Sequence, residues 1–360
     1  MNRIVCLFIL VVISIIAVSG CSREDKPHVD GVIAEISTTK GLIVAKLEYE
    51  KTPMTVANFV GLAEGTIQNE AHPVGTPYFD GSVWGRVVPG HVIQGGSPVK
   101  GESRGPGYQF PNEIDLSLSH GKAGMLGMAN GGPHTNSSQF YITLGDRSYL
   151  DGNYTVFGSV ISGMDVVNSI VQGDSMKSIV IVRNGKKAEG FRPGTESFRQ
   201  MVEEAKKRIE REEKEKEVRE QEIIAEKWPD AATLETGVKY QIITEGSGNK
   251  PTDGSKLTVR YKGMFLDGTE FYSTAENGVS AYSETAESFE FEIGTNKMNP
   301  GFDAALRDMQ KGETRIAIIP PEQAYGRGGL YTREREGTKR FVISPYTTLV
   351  YEIELLDIGK

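Results

Sequence analysis

At 360 residues the chain is longer than one ordinary hydrophobic core, so two domains are expected. Hydrophobic residues make up 38% and charged residues 24%, the balance of a globular chain rather than a disordered or fibrous one. The formal net charge is −8 and no basic run is interleaved with aromatics, which excludes nucleic acid as the partner.

In chain order, Arg3 precedes an apolar run from Ile4 to Val18, too short to span a membrane stably and placed where a signal segment belongs. The run ends in Val18-Ser19-Gly20-Cys21, which resembles a bacterial lipoprotein lipobox. The resemblance implies that residues 1–20 are a signal peptide of that type, cleaved before Cys21, whose sulfur and new amino end are lipidated. The alternative is an ordinary signal peptide with an incidental cysteine. Cys6 lies in the discarded segment, so no disulfide is expected even in an oxidising compartment. Acyl chains on Cys21 would hold the protein to the bacterial cell envelope, outside the cytoplasm, without a spanning helix.

Residues 21–31 are polar, contain Lys26-Pro27 and read as a tether. A first domain follows over 32–190. Val32 to Ser37 and Leu42 to Glu48 alternate apolar and polar around Lys40-Gly41, which predicts a hairpin. Thr52 is the expected cap of a helix with Pro53 in its first turn, an apolar face of Val56, Phe59, Val60 and Ala63, and a stop at Gly65. From Tyr78 to Val182 short strands alternate with glycine-rich turns, as a closed antiparallel barrel requires. The run from Gly95 to Gly107 lacks the Gly-Lys-Ser/Thr ending of a phosphate-binding loop and no helix pattern follows it, so nucleotide binding is rejected. Met164 to Val171 predicts a second helix.

Residues 191–232 form a charged helical linker. Phe198, Met201, Val202, Ala205 and Ile209 keep helical spacing, and Glu210 to Glu217 is wholly charged. Glu203–Lys207, Glu204–Arg208, Glu210–Lys214, Glu212–Lys216 and Glu215–Arg219 are acid-to-base pairs four apart in the favourable order. Pro229 ends the helix. The pattern predicts a solvated spacer between domains, with a coiled-coil seam as the sharper alternative. A second domain, 233–360, returns to β pattern at Val238 to Ile243, Leu257 to Phe265, Phe289 to Ile293, Thr314 to Pro320 and Thr347 to Ile358, with one helix from Gly301 to Gln310 that buries Phe302, Leu306 and Met309.

Two stretches carry the chemistry of the first domain. One is Trp84-Gly85-Arg86-Val87-Val88-Pro89-Gly90-His91-Val92-Ile93-Gln94-Gly95-Gly96; the other runs from Met128 through Asn130 to Tyr141, with Leu150-Asp151-Gly152 soon after. Taken singly, Arg86 reads as a surface arginine on a barrel strand. Together the stretches resemble the cyclophilin family of peptidyl-prolyl isomerases over about residues 30–190. The resemblance implies a closed antiparallel barrel with two helices, Arg86 as the catalytic cation, and Gln94 with the backbone of Asn130 holding the substrate main chain. Val92, Tyr141 and Leu150 would form the proline pocket, ringed by His91, Ala129, Gln139 and Tyr154. His91 and Tyr141 stand where the family usually has phenylalanine, and Tyr149 where its best-known members carry the tryptophan that grips cyclosporin.

Rotation about a peptide bond before proline breaks C–N resonance, against a barrier of about 18–20 kcal/mol. No bond is made or broken, so neither metal nor cofactor is expected. The catalyst must bind the twisted amide better than either planar form.

The second domain resembles the FKBP-type isomerases from about residue 233 to the end, through Val259-Arg260-Tyr261-Lys262-Gly263, Asp267-Gly268-Thr269-Glu270-Phe271, Pro300-Gly301-Phe302, Ala324-Tyr325-Gly326 and Leu349 to Leu356. The fold implied is an α+β antiparallel sheet wrapped on one helix. The pit walls carried over are Tyr261, Phe271, Phe289, Met298, Phe302, Tyr351 and Ile343; Tyr325 and the backbone of Asn299 would hold substrate carbonyls. Tyr272 replaces the usual aspartate and Phe302 the usual tryptophan floor. A long loop from Arg327 to Arg340 carries Arg327, Arg333, Arg335, Lys339 and Arg340, read as a solvated loop or as a lip selecting acidic clients.

Proline-containing unfolded or exported polypeptides are the expected partners, with weak cyclosporin or tacrolimus-type binding. Two other readings stay open. One is a proline-segment-binding chaperone or adaptor whose FKBP-type site has little turnover; the other is a surface or adhesive protein that reuses the folds.

Overall fold

The structure, a computed structural model, describes residues 29–97, 105–274, 288–295, 298–333 and 339–359, but not the side chains of 327, 331–333 and 339–342. The signal, Cys21 and part of the Gly95–Gly107 run lie outside the described residues, as do the side chains of Arg327, Arg333, Arg335, Lys339 and Arg340.

In the first domain β1 (Gly31–Thr38) and β2 (Leu42–Leu47) form the hairpin, Ser37 opposite Leu42. Helix α1 (Pro53–Glu64) follows, then β3 (Arg86–Val88), β4 (Val92–Gly95), β5 (Met125–Met128), β6 (Phe140–Thr143), a 3₁₀ turn Ser148–Leu150, β7 (Val156–Ser162), α2 (Met164–Ser169), β8 (Met176–Asn184) and α3 (Lys186–Gly190). The strands make one antiparallel sheet in the order β3-β4-β6-β5-β7-β2-β1-β8. The sheet curls, and its end strands β3 and β8 are not paired with each other. Hydrogen bonds from Trp84 N to Asp174 O, Gly81 N to Met176 O and Met176 N to Ser82 O run across that gap. The core is aromatic: the Phe59 ring of α1 lies 5.3 Å from those of Phe79, Phe140 and Phe157.

The expected cap of α1 is replaced by another. Thr52 makes no side-chain cap and its hydroxyl donates to Glu48 O. The free amides of Met54 and Thr55 donate instead to the two carboxylate oxygens of Glu113, at 3.1 and 2.8 Å, and the Thr55 hydroxyl donates to the same group. An acid at a helix N-terminus also meets the positive end of the helix dipole. Gly65 closes the helix in the left-handed region at φ 72°, as its position predicts.

The charged helix α4 (Thr195–Lys227) ends before Pro229, but it is a solvated spacer only in its middle. Phe198, Val202 and Ala205 are buried in the first core, with Phe198 5.4 Å from Tyr108 and 5.6 Å from Phe110. Near the other end Ile224 is buried with Ile316, Ile318 and Val350 of the second domain. Thr348 donates its hydroxyl to Glu220 at 2.7 Å, and Lys216 donates to Tyr346 O at 2.8 Å. The apolar positions of α4 therefore fall in two patches on either side of the wholly charged Glu210–Glu217 stretch, each buried against a different domain.

The second domain comprises β9 (Ala232–Thr233), β10 (Lys239–Thr244), β11 (Lys256–Phe265), β12 (Glu270–Ser273), β13 (Phe289–Glu292), α5 (Pro300–Arg307), β14 (Thr314–Ile319), β15 (Leu330–Arg333), β16 (Lys339–Ile343) and β17 (Leu349–Gly359). Its main sheet runs β12-β11-β17-β14-β10-β9, with β13 also paired on β11. Alternate residues of β11 (Leu257, Val259, Tyr261, Gly263) are buried, the period-2 signature of a sheet with one face on the core. That face packs with Phe302, Ala305 and Leu306 of α5. The helix stops at Arg307, three residues before the expected end, with Met309 still buried. The expected loop from Arg327 to Arg340 contains strand β15 and the start of β16, which pair antiparallel.

Candidate functional site

Strand alternation decides which side chains of the first sheet enter the core. Ile93 of β4 and Phe140 and Ile142 of β6 do, whereas Val92, Gln94 and Tyr141 point to the other face. Antiparallel register then places Arg86 opposite Gln94, Gln94 opposite Tyr141, and Tyr141 opposite Gly127, so that four residues from four strands form one row. Gln94 and Tyr141, 47 positions apart in sequence, become neighbours this way.

Hydrogen bonds orient the row. The Arg86 guanidinium, exposed, donates to Gln94 Oε1 at 3.4 Å. Gln94 Nε2 donates to Gln139 Oε1 at 2.9 Å, which turns the Gln94 carbonyl toward the cation. Ala129 N donates to Gln139 O at 2.9 Å, and Leu150 and Tyr154 stand at the 3₁₀ turn, where Tyr154 N donates to Leu150 O. The Asn130 side chain is spent on its own loop: Nδ2 lies 3.3–3.5 Å from Asn112 Oδ1, Asn136 Oδ1 and Asn153 O, while Oδ1 accepts from Gly132 N. Val92 is 3% exposed, and His91 is half-buried with Nε2 2.5 Å from the Tyr149 hydroxyl.

The electrostatics follow from burial and the nearby arginines. Burial, then Arg147 and Arg86, holds His91 below the usual histidine value. Burial raises the Tyr149 and Tyr154 hydroxyls despite Arg86, and Tyr141 lies well above the usual phenol value. At neutral pH the site thus presents the Arg86 guanidinium with Arg147 nearby, a neutral imidazole, amides and protonated phenols. Such a set can donate hydrogen bonds and enclose an apolar ring, but it holds no activated nucleophile.

Sequence reasoning missed three groups here: His120 and Asp151, which lie behind Tyr141, and the amide cluster of Asn112 and Asn136 beneath Asn130. Asp151 sits one position after Leu150 and was visible as a motif letter; His120 carries no local signal, because its partners are 21 and 31 residues away.

The second pit gathers the aromatic residues expected of it. Tyr261 lies 5.2 Å from Phe302, 5.8 Å from Phe289 and 6.0 Å from Tyr351, and Phe271 lies 5.8 Å from Tyr351. Ile343 is buried in the same cluster, with Met298 and Tyr325 packed at its margin. Asn299 caps α5 by accepting from Phe302 N at 2.9 Å, while its Nδ2 donates to the Tyr351 hydroxyl at 3.3 Å. Tyr351 is wholly buried, and burial, then neighbouring Tyr325, pushes its hydroxyl well up. Tyr272 stacks on Tyr261 at 4.8 Å with 14° between the planes.

Residues 33–186 match the family described as cyclophilin type peptidyl-prolyl cis-trans isomerase/CLD, and residues 247–356 match FKBP-type peptidyl-prolyl cis-trans isomerase. The chain is similar to a probable peptidyl-prolyl cis-trans isomerase A of Mycobacterium leprae (strain TN), 43% identical over 144 residues, 39% of this chain and 79% of that one. It is 45% identical over 137 residues to the isomerase ppi1 of Schizosaccharomyces pombe (strain 972 / ATCC 24843), 37% of this chain and 80% of that one. A crystal structure of a cyclophilin-type isomerase from Cryptosporidium parvum aligns with 42% of this chain and 98% of its own at 27% identity, with a TM-score of 0.37. The chain belongs to the cyclophilin-type peptidyl-prolyl cis-trans isomerases through its first domain, and an FKBP-type isomerase domain follows it.

Proposed function

We propose that the first domain turns prolyl peptide bonds by an Arg86-dependent mechanism and that the protein assists the folding of exported polypeptides at the cell envelope. Twisting the imide localises a lone pair on the proline nitrogen. The Arg86 guanidinium donates a hydrogen bond there, one that strengthens as resonance is lost and so favours the transition state over both planar forms. Gln94 and the Asn130 backbone hold the peptide on either side, and Val92, Tyr141 and Leu150 enclose the pyrrolidine ring. The observation that carries this reading is the in-register row Arg86–Gln94–Tyr141, which sets a directed donor beside an apolar slot. A protease-coupled proline assay on the full chain tests it: Arg86→Ala removes most of the turnover, and an undiminished rate overturns the assignment.

In the second domain a dry aromatic pit takes up the less polar twisted amide, with Tyr325 and the Asn299 backbone on the flanking carbonyls. The stacking of Tyr272 on Tyr261 favours a second reading for this half, a proline-segment holdase with little turnover. Rates of the Arg86→Ala chain with and without Tyr325→Phe separate the two.

The envelope role rests on the Val18-Ser19-Gly20-Cys21 ending of the apolar N-terminal run. Mass spectrometry of the mature N-terminus and fractionation of Cys21→Ser test it. Release of the variant from membranes is the expected result; an unmodified Cys21 in the wild type refutes the anchor.

A further inference from the structure

Behind the Arg86 row runs a chain of short hydrogen bonds. The Tyr141 hydroxyl lies 2.8 Å from His120 Nε2, and His120 Nδ1 lies 2.6 Å from Asp151 Oδ1. Asp151 also accepts from the His120 backbone N–H at 2.8 Å and from the Ser119 hydroxyl at 2.6 Å. His120 is wholly buried and Tyr141 is 5% exposed.

Acceptor chemistry fixes where the protons sit. Burial pushes the Asp151 carboxyl up, but hydrogen bonds from Ser119 and His120 together outweigh it and keep the group ionised. An ionised carboxylate only accepts, so Nδ1 carries the proton of the imidazole. Burial holds His120 below the usual histidine value against the pull of Asp151, so the ring is neutral and Nε2 offers a lone pair. Tyr141 is therefore the donor, and its ring is held at the far end from its backbone as well as at Cβ. Gly127 makes room for that tilt: a Cβ there would lie 2.4 Å from Tyr141 Cζ and 2.5 Å from its oxygen. Through its backbone Asp151 also belongs to the opposite wall. Asp151 N donates to Ser148 O at 3.0 Å, closing the 3₁₀ turn that carries Tyr149 and Leu150.

We propose that Asp151 and His120 are positioning residues of the first site, setting the tilt of the Tyr141 ring and tying the Leu150 wall to it, so that a bound proline is held where its twisted amide meets Arg86. The inference rests on the Arg86-dependent reading given above. A misplacement of the order of 1 Å at a reacting centre can cost about a hundredfold in rate, so a floor tethered at its far end has kinetic value beyond its packing.

The test compares Arg86→Ala, Tyr141→Phe, His120→Gln and the Tyr141→Phe/His120→Gln double variant in the full chain, with kcat and KM for a proline tetrapeptide. The rate left in Arg86→Ala is subtracted as that of the second domain. Tyr141→Phe and His120→Gln each lower the Arg86-dependent kcat about tenfold, with little change in KM, and the double variant is no worse than either single one, as links of one chain behave. Nitrogen-15 spectra of the histidines place the His120 proton on Nδ1, and Tyr141→Phe moves the Nε2 signal alone. A purely structural role would lower the melting temperature and leave kcat of the folded enzyme unmoved. An Arg86-dependent rate untouched by Tyr141→Phe, or losses that multiply in the double variant, overturns the inference and leaves the arginine reading standing; an undiminished rate in Arg86→Ala overturns both. Tyr141→Phe, which removes a single hydroxyl, carries the test if His120→Gln does not fold.

Discussion

His91 and Tyr149 are joined across the mouth of the first slot by a 2.5 Å hydrogen bond between imidazole Nε2 and phenol oxygen, and the other imidazole nitrogen is buried with no partner among the described residues. Two polar rings satisfy each other where the family resemblance places a phenylalanine and a tryptophan. A ligand that needs an indole donor finds a smaller phenol already engaged. Cyclosporin is accordingly expected to inhibit the first domain weakly, and Tyr149→Trp to tighten inhibition about tenfold, roughly 1.4 kcal/mol. His91→Phe combined with Tyr149→Trp should tighten it further, since the indole then strands no imidazole. Inhibitor titration of the three proteins decides the matter; nanomolar inhibition of the wild type contradicts the prediction.

Two histidines, His120 buried and His91 half-buried, make the first domain acid-sensitive. Burial lowers both, with Arg147 and Arg86 adding to the effect at His91 and Asp151 opposing it at His120. A histidine whose folded value is depressed binds fewer protons when folded than when unfolded. Stability therefore rises with pH, is fully present above the unfolded value of 6.5, and is lost as pH falls from there through the lower folded values. Melting temperature should fall between pH 7.5 and pH 5, and fall less in His91→Phe. A melting temperature flat across that window, or a slope unchanged by the substitution, refutes the assignment.

Arg86 carries the largest kinetic prediction. It is exposed and makes a single 3.4 Å bond to Gln94, so its loss strands no buried group and little stability is at stake. Removing one preorganised donor aimed at a transition state costs about 10²–10³ in kcat, roughly 2.7–4 kcal/mol. Arg86→Ala should lie in that range with an unchanged melting temperature. Arg86→Lys should recover only a small part, because an ammonium lacks the planar donor fork.

The two domain families and the main strands of each were legible in the sequence because their signals are local. Period-2 alternation marked β1, β2 and β11, and motif letters placed Arg86, Gln94, Tyr141 and the aromatic walls of the second pit. What escaped is what only folding brings together. Glu113 caps a helix nearly 60 positions upstream, His120 meets Asp151 across 31 residues, and the two apolar patches of α4 become interpretable only once each has a domain to lie on. The paired strands β15 and β16 were read as loop because Arg333, Lys339 and Arg340 obscure any alternation.

In the second domain Tyr272 is the informative substitution. Its ring lies flat on Tyr261, so the phenol occupies room beside the pit. Tyr272→Asp removes that ring and supplies the carboxylate that the family resemblance calls for. In the Arg86→Ala background, where the remaining rate belongs to the second site, this change should raise turnover several-fold, by about 1 kcal/mol of barrier. An unchanged or lower rate, with the melting temperature preserved, would favour the holdase reading for this half.

Stability of the first domain should depend on a residue that the sequence leaves unremarked. The Glu113 carboxylate satisfies the Met54 and Thr55 amides and the Thr55 hydroxyl, and accepting those three bonds holds the start of α1 against the sheet. Burial raises the Glu113 carboxyl against the pull of the Thr55 and Met54 bonds, so the group remains costly to desolvate and those bonds offset only part of that cost. Glu113→Ala leaves two helix-end donors inside the protein without an acceptor and should cost about 2 kcal/mol, the upper end for a lost cap. Thr52→Ala, which removes a hydroxyl bonded to Glu48 O and no cap, should cost less. Denaturant titration followed by a probe in the first domain orders the two; a larger loss for Thr52→Ala would show that the local cap read from the sequence, rather than the distant acid, holds the helix.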